Sequence, residues 1–406
     1  MNKIKIIIVF DQSSWGGADT HLNNLLYTWP NIEDEIHIYY NSYNKGITRV
    51  KNHLENIKFI KFFKYDIKIV NFFEKINRIK FIKILNLFFI PLRLRIMRNY
   101  FKKVFNENKY DCLVSNNGGY PASYACLAAV LEAKINNIES VNMLVHHQAK
   151  KPHFLYKNFR NNLDNQVANS LNKLIAVSNA TMDELGKNSL ILNKISKDKK
   201  IIINNGINLE HNSTHKINLS KYFLNQKNFI VGTLGRIESY KGQADLIYAY
   251  MKLSNNLKQK FNVAIIGDGE TKEINRLKKI IDSNSINENV KMLGYIEGDG
   301  RDIISGLDLL VFPTRTWEGW GLVALEAMAE GVPLISSRVG ATPEFINLKN
   351  GYLYEPGSIE ELAFALTDFF ENSNKWKKKA LVAKKFVEKY DSKFISRKFR
   401  DTIIHN

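Results

Sequence analysis

Cysteine is almost absent: only Cys112 and Cys126 occur, at no metal-ligand spacing. That excludes a disulfide framework and a thiolate zinc site, and it fits a reducing compartment. Long apolar runs are missing too. The longest candidate, Ile84 to Leu92, is interrupted by Asn86 and Pro91 and falls short of the ~20 residues that a spanning helix needs. The opening MNKIKIIIVFD has too short an apolar core for a secretory signal, and no small-residue cleavage site follows. The expectation is a soluble, cytoplasmic chain. No D-x-D triplet and no His/Cys cluster is present, so neither a metal nor another cofactor is expected. Acid is scarce as well: 40 Asp plus Glu against 58 Lys plus Arg leave a formal charge of +18, which calls for an anionic partner. No helix-turn-helix, RRM or KH signature accompanies that charge, so the expected partner is not nucleic acid.

What is present is a globular composition, 45% hydrophobic, in 406 residues, more than one core usually serves. Short apolar runs alternate with amphipathic helix-length segments throughout, the pattern of parallel α/β sheets. Strands are expected at Lys3–Phe10, Glu35–Tyr40, Ile57–Phe63, Cys112–Asn116, Val141–Val145, Lys173–Ser178 and Ile201–Asn204. A second series follows at Phe229–Leu234, Val263–Gly267, Val290–Gly294, Leu309–Pro313 and Pro333–Ser336. Helices such as Ile274–Asp282 and Glu360–Phe370 fill the intervals. The polar stretch Asn205–Leu219 lacks periodicity and reads as a hinge, giving an N-terminal domain over 1–208 and a C-terminal domain over 209–389.

The charge is not spread evenly. Lys58 to Phe105 holds 13 Lys plus Arg against Asp66 and Glu74, and so carries +11 of the +18. Its cations are mixed with Phe62, Phe63, Phe72, Phe73, Phe88 and Phe89. Basic and large apolar residues without a spanning run describe an interfacial segment. The expectation is that Lys58–Phe105 meets an anionic membrane surface; the competing account is an amphipathic helix pair with its Phe in the core and its Lys in solvent.

The residues that carry chemistry lie mostly in the second half. In FPTRTWEGWGLVALEAMAEGVP (Phe312–Pro333) a strand ends near Pro313 and a helix runs from about Leu322 to Glu330, stopped by Gly331 and Pro333. A helix that starts at the carboxyl end of a parallel strand is where open α/β sheets bind ligands. The N–H groups near Gly321, Leu322 and Val323 would point at a phosphate. Glu318 and Glu326 stand at E-x7-E spacing, about 12 Å of helical rise, too far for the roughly 5–9.5 Å of a glycosidase acid pair. They suit a long ligand with a diphosphate between two hydroxylated ends, such as a nucleotide-sugar, with hexose at Glu318 and ribose at Glu326. In VGTLGRIESYKG (Val231–Gly242), Arg236 and Lys241 would stand at the same sheet edge and could neutralise a departing diphosphate without a metal. In the first half, Gly16-Gly17 after the first strand lets the chain approach a ligand phosphate.

Together these motifs resemble glycosyltransferase family 4 (glycosyl transferases group 1), the retaining enzymes of GT-B fold. The combination is G-G after the first strand, GR…KG opening the second domain, and EGWGLVALEAMAEGVPLISS, supported by AVSNAT (Ala176–Thr181), NNGIN (Asn204–Asn208), IIGDGE (Ile265–Glu270) and GATPEF (Gly340–Phe345). The resemblance implies an α/β GT-B architecture, two Rossmann-like doubly wound domains facing across a cleft, with a last helix, about 390–406, returning to the first. It implies hexose transfer from a UDP- or GDP-sugar to a glycan or lipid-linked acceptor, as in lipopolysaccharide, O-antigen or capsule synthesis at the inner face of a bacterial plasma membrane. It places Arg236 and Lys241 on the donor diphosphate, Glu318 at the hexose, Glu326 at the ribose, and backbone near Tyr295 and Ile296 against the base. His146, with His147 behind it, is the candidate near the reacting centre. Phosphorylase, hydrolase or epimerase chemistry on the same fold is the alternative, and a non-enzymatic anion-binding protein a remote one. The chain departs from the family at Asp19 and His21 in GGADTH, at Gly340-Ala341 where two glycines are usual, and at Trp320 where Phe is common.

Overall fold

Residues Ile6 to Phe10 are buried without interruption in β1 (Lys5–Phe10), and β4 (Cys112–Asn117) and β5 (Ser140–Val145) are buried at every position. Strands that bury both faces need a sheet covered on both sides, which parallel pairing with crossover helices provides. The computed structural model describes residues 3–12, 15–44, 46–76, 87–121, 123–210 and 216–404, and within them all strand pairing is parallel. In the first unit β2 (Glu35–Asn41), β3 (Ile60–Tyr65), β6 (Lys173–Ala176) and β7 (Lys200–Ile202) complete a seven-stranded sheet of order β3-β2-β1-β4-β5-β6-β7. In the second unit β8 (Phe229–Leu234), β9 (Phe261–Ile266), β10 (Val290–Gly294), β11 (Leu309–Phe312), β12 (Leu334–Ser337) and β13 (Tyr352–Tyr354) form a six-stranded sheet of order β10-β9-β8-β11-β12-β13. Both are Rossmann-like. Both reverse direction once, between β1 and β4 and between β8 and β11, and at such a switch the loops part and leave a crevice at the carboxyl ends of the strands.

The first unit comprises residues 1–206 and 392–406, the second 207–391. Helix Ser392–Ile404 is held on the first unit by apolar and ionic contacts together. Phe399 and Ile403 are fully buried, and the Arg400 guanidinium donates to both oxygens of buried Asp34 at 2.6 and 3.0 Å. Asp34 also accepts from the Trp29 indole, the Asn31 amide and the Ile4 backbone N–H. A buried pair is tolerable when its remaining lone pairs are met in this way.

The basic stretch Lys58–Phe105 is not one element. It begins in edge strand β3, continues through helix Lys68–Ile76, and ends in helix Ile90–Glu107; residues 77–86, with Arg78, Lys80 and Lys83, lie outside the described residues. Its phenylalanines divide: Phe101 and Phe105 are core, while Phe72 and Phe88 are exposed. The expected hinge Asn205–Leu219 contains the boundary between the units, and its residues 211–215 are likewise outside the described residues.

Candidate active site

In the second unit, three strands end in glycines with positive φ: Gly235 after β8, Gly267 after β9, and Gly294 closing β10. Their backbones are stitched sideways, Gly235 N–H to Ile266 carbonyl at 3.0 Å and Gly267 N–H to Gly294 carbonyl at 2.8 Å. A Cβ on Gly267 would sit 1.9 Å from the Gly235 carbonyl oxygen, so the crossing requires glycine. The result is a glycine rim along the carboxyl ends of β10, β9 and β8, with β8 at the switch point.

Lys241 and Glu318 meet at that rim. Lys241 Nζ lies 2.8 Å from Glu318 Oε2, coming from the loop after β8 and the loop after β11. Burial alone would lower the Lys241 pKa, but Glu318 and Tyr240 together outweigh it and the pKa is raised, so the ammonium stays charged. Gly242, at φ +71°, lets the two loops touch: a Cβ there would fall 2.0 Å from the Pro313 carbonyl oxygen. Arg315 ties the same loops by forking onto Asp245, which is fully buried in helix Gln243–Lys252. The Arg236 guanidinium is nearly half exposed, 2.9 Å from Glu238 and 3.3 Å from the Tyr240 hydroxyl. Sequence reasoning brings Arg236, Lys241 and Glu318 to one edge; it missed that Lys241 and Glu318 pair with each other.

Helix Leu322–Glu330 begins at Gly321, φ +92°, and no side chain caps it. Its first turn therefore presents the N–H groups of Leu322 and Val323 without a competing side-chain acceptor, at the positive end of the helix dipole. Glu326, one turn in, is partly buried. Burial first, then nearby Asp299, push its pKa up to about 7, against the pull of Arg301. Gly300 leaves room beside it, since a Cβ there would lie 3.4 Å from Glu326 Oε2. Tyr295, half exposed, and the less exposed Ile296 follow β10. Gly340 was noted in the sequence only as half of a glycine pair. At φ +50° its Cβ position overlaps the Glu318 backbone, 2.0 Å from the carbonyl oxygen, and Ala341 N–H donates to that oxygen at 2.9 Å. Gly340 thus sets where Glu318 stands. Trp320 is buried against Phe345 and Tyr390.

In the first unit the corresponding edge mixes carboxyl groups with neutral ones. Asp11 follows β1, hydrogen-bonded by Ser123 and Tyr43 and with its pKa raised by burial, and Asp19 is buried beside Gly16. Gly16 caps helix Gly17–Tyr27 with extended φ, Asp19 accepts from its N–H at 2.8 Å, and a Cβ on Gly16 would meet nothing within 4 Å. The fold does not require glycine there, and the space in front of it is open. His146 follows β5; its Nε2 lies 2.8 Å from Asn116 Oδ1 of β4, while Nδ1 is buried with no partner. His21 stands edge-on to it, ring centroids 5.0 Å apart, with both nitrogens unpartnered. Burial pushes the His21 pKa down to about 3, and burial with the neighbouring His21 and His147 holds His146 well below the usual range. Both imidazoles are neutral at physiological pH. Asn117, fully buried in β4, also lacks a partner for either side-chain atom. His21 was visible only as a departure from GGA-E motifs; one turn beyond Gly17 on a helix, it faces whatever lies over the strand ends. Among the described residues no three His, Cys, Asp or Glu side chains are grouped to hold a metal ion.

Two doubly wound units, each with polar groups at its switch point, make a fold that binds ligands outside the carboxyl ends of its strands. Comparison with known proteins gives the family. The model for glycosyltransferase family 4 matches residues 15–211 and that for glycosyl transferases group 1 matches residues 215–385, together nearly the whole chain. The chain belongs to glycosyltransferase family 4. A capsular polysaccharide biosynthesis glycosyltransferase of Staphylococcus aureus, CapM, is 29% identical over 189 residues, 44% of this chain and 48% of CapM. The chain thus matches about half the length, or less, of the first such relatives. Among solved structures, a glycosyltransferase from Rickettsia africae aligns with TM-score 0.76 at 18% identity, over 99% of this chain and 98% of that one. HepE of Anabaena, solved with UDP and glucose, aligns with TM-score 0.72 at 18% identity, over 98% and 99%. These are GT-B glycosyltransferases, and the likeness establishes the fold.

Proposed function

We propose that this protein transfers a hexose, with retention of anomeric configuration, from a UDP- or GDP-sugar to a glycan or lipid-linked acceptor in the assembly of a bacterial capsule, O-antigen or lipopolysaccharide. The observation that carries the reading is the rim of the second sheet, where Arg236, the Lys241–Glu318 pair and an uncapped helix N-terminus lie at one switch point with Glu326 a turn beyond. In this reading Arg236, Lys241 and the N–H groups of Gly321, Leu322 and Val323 hold the diphosphate. Arrival of phosphate gives Lys241 a new anion and releases Glu318 to accept hydrogen bonds from the hexose. Ionised Glu326 accepts from the ribose hydroxyls, and the backbone at Tyr295 and Ile296 lies against the base. The two cations stabilise the leaving diphosphate, so the reaction needs no metal. Neutral His146 offers Nδ1 to an acceptor hydroxyl, and the Gly16-Gly17 turn, with open space at Gly16, admits a donor phosphate oxygen. UDP and glucose in the HepE structure make UDP-glucose the first donor to test, and the CapM relationship favours a surface-polysaccharide acceptor, reached from the cytoplasmic face of the membrane.

The test is thermal unfolding with a panel of UDP-, GDP- and ADP-sugars. The matching donor at about 100 times its Kd adds about 2.7 kcal/mol and raises Tm; a flat response across the panel overturns the reading. With the donor known, product analysis separates transfer to a glycan from release of free sugar into water or phosphate.

A further inference from the structure

Large apolar side chains are exposed at two places in the first unit that are adjacent in space. Phe88 is 68% exposed and Leu92 43%, at the start of helix Ile90–Glu107, while Phe154 is 75% and Leu155 60% exposed on the turn Phe154–Tyr156. A groove of about 200 Å³ joins them, lined by Leu87, Phe88, Pro91, Leu155, Tyr156 and Phe159. Tyr156 closes it, its ring 4.6 Å from that of Phe159 and its hydroxyl buried with no partner. Exposed contiguous apolar surface of this kind marks an interaction site.

The charge around it selects the partner. Lys150, Lys151 and Lys157 are exposed on either side of the Phe154 turn, and Arg95 is exposed one turn beyond Leu92 on the helix. No Asp or Glu occurs from 87 to 106 or from 147 to 163. An apolar crown within a purely cationic rim suits a surface that is anionic outside and hydrocarbon inside. We infer that Phe88, Leu92, Phe154 and Leu155 insert into an anionic phospholipid leaflet, with Lys150, Lys151, Lys157 and Arg95 on its headgroups and one acyl chain in the groove. This deepens the proposal of a membrane-presented acceptor, and it moves the contact: half of it lies on residues 150–159, outside the basic stretch that the sequence singles out, and much of that stretch is edge strand and core.

Co-sedimentation of the full chain with vesicles tests this, using phosphatidylcholine alone and phosphatidylcholine mixed equally with phosphatidylglycerol. Binding is expected only to the mixed vesicles and is lost at about 1 M NaCl, where the Debye length is about 3 Å. The triple variant Lys150→Gln, Lys151→Gln, Lys157→Gln binds about a hundredfold more weakly, and Phe154→Ser with Leu155→Ser at least tenfold. All five positions are exposed, so both variants keep the Tm and the donor-induced stabilisation of the parent. Equal binding to both vesicle types, binding to neither, or light scattering showing a dimer that the Phe154 and Leu155 changes dissociate would each overturn the inference. Vesicle binding without stabilisation by any nucleotide-sugar would leave this surface standing and remove the glycosyl-transfer reading instead.

Discussion

The two sheet edges share a topology and differ in electrostatics. At the second unit's switch point three cations each have a counter-charge: Lys241 with Glu318, Arg236 with Glu238, Arg315 with Asp245. At the first unit's, the carboxyl groups of Asp11 and Asp19 stand among neutral groups, of which His21 and Asn117 lack any side-chain partner and His146 lacks one at Nδ1. Paired charges at a half-open rim can be exchanged for those of an anionic ligand at little net desolvation cost. Unpaired neutral groups in a buried edge cost roughly 1–3 kcal/mol each when left unsatisfied, a cost that ligand hydroxyls or ordered water would offset. In the proposed reading one edge takes a diphosphate and the other hydroxyls. The same fold carries both because the fold fixes only where the strand ends open.

The sharpest test of that contrast removes the exchangeable cations. Arg236→Ala and Lys241→Ala each cost about 3–4 kcal/mol at a developing anion, a fall in turnover of about 10²- to 10³-fold, measured by steady-state kinetics. Activity persists in EDTA. If chelation abolishes wild-type activity and magnesium restores it, the division of labour between these cations and a metal is wrong.

Gly340→Ala comes next. A methyl group at φ +50° overlapping the Glu318 carbonyl oxygen must displace the Glu318 backbone. Loss of a hydrogen bond to a charged group costs about 1.5–3 kcal/mol, read as a roughly 10- to 100-fold fall in kcat with donor affinity, held by Glu326 and the cations, little altered. Unchanged kcat would show that Glu318 does not act on the reacting sugar.

These three variants also separate what was legible in the sequence from what was not. Strand Phe229–Leu234 was readable residue for residue because a parallel strand buried on both faces is a continuous apolar run, and helix Leu322–Glu330 because glycine punctuates it. Edge strand Val290–Gly294, with only Val290 buried, was readable as a short run closed by glycine. β13 was missed: three residues, Tyr352–Tyr354, at a sheet edge leave no pattern to read. Arg236 and Lys241 were found because their spacing follows a strand end. Gly340 acting on Glu318 was not, since the contact joins residues far apart in sequence through a backbone conformation. His21 was noticed without a role, because burial and ring contact are tertiary facts.

A smaller effect is expected from Glu326. Its pKa, up to about 7 from 4.5, means that protons compete with the ribose for the carboxylate. Donor affinity therefore falls as pH drops below 7, by up to tenfold per unit. Glu326→Gln abolishes that slope and binds donor about tenfold more weakly at pH 8. For the ligand-free protein the sign reverses. A carboxyl with a raised folded pKa contributes stability below pH 4.5 that is lost as pH rises through 7. At pH 8 the variant is accordingly more stable, by at most about 3 kcal/mol before any discount for partial exposure. A pH-independent donor affinity in the wild type, followed calorimetrically, would break this assignment.

The smallest effect belongs to the first unit's edge. Burial pushes the His21 pKa down to about 3 from 6.5, so the unfolded chain takes up a proton there that the folded chain refuses. Stability contributed by the neutral imidazole is full above pH 6.5 and is lost as pH falls from 6.5 toward 3. At pH 5.5 the loss is about 1 kcal/mol. His146, held low by the same burial and by His21 itself, adds a loss of the same sign, and Glu326 an opposing gain. The comparison must therefore be made between variants at one pH rather than across pH. His21→Leu fills the site with similar volume and leaves nothing to titrate. At pH 7 its stability equals or slightly exceeds that of the parent, because an unpaired buried polar group has gone. At pH 5.5 its advantage in denaturant unfolding grows by about 1 kcal/mol. Its acceptor KM rises while donor affinity stays, because His21 belongs to the edge that meets hydroxyls. An advantage that does not grow on acidification would mean that His21 is protonated in the folded state, and the contrast between an edge of paired cations and one of neutral imidazoles would fail at His21.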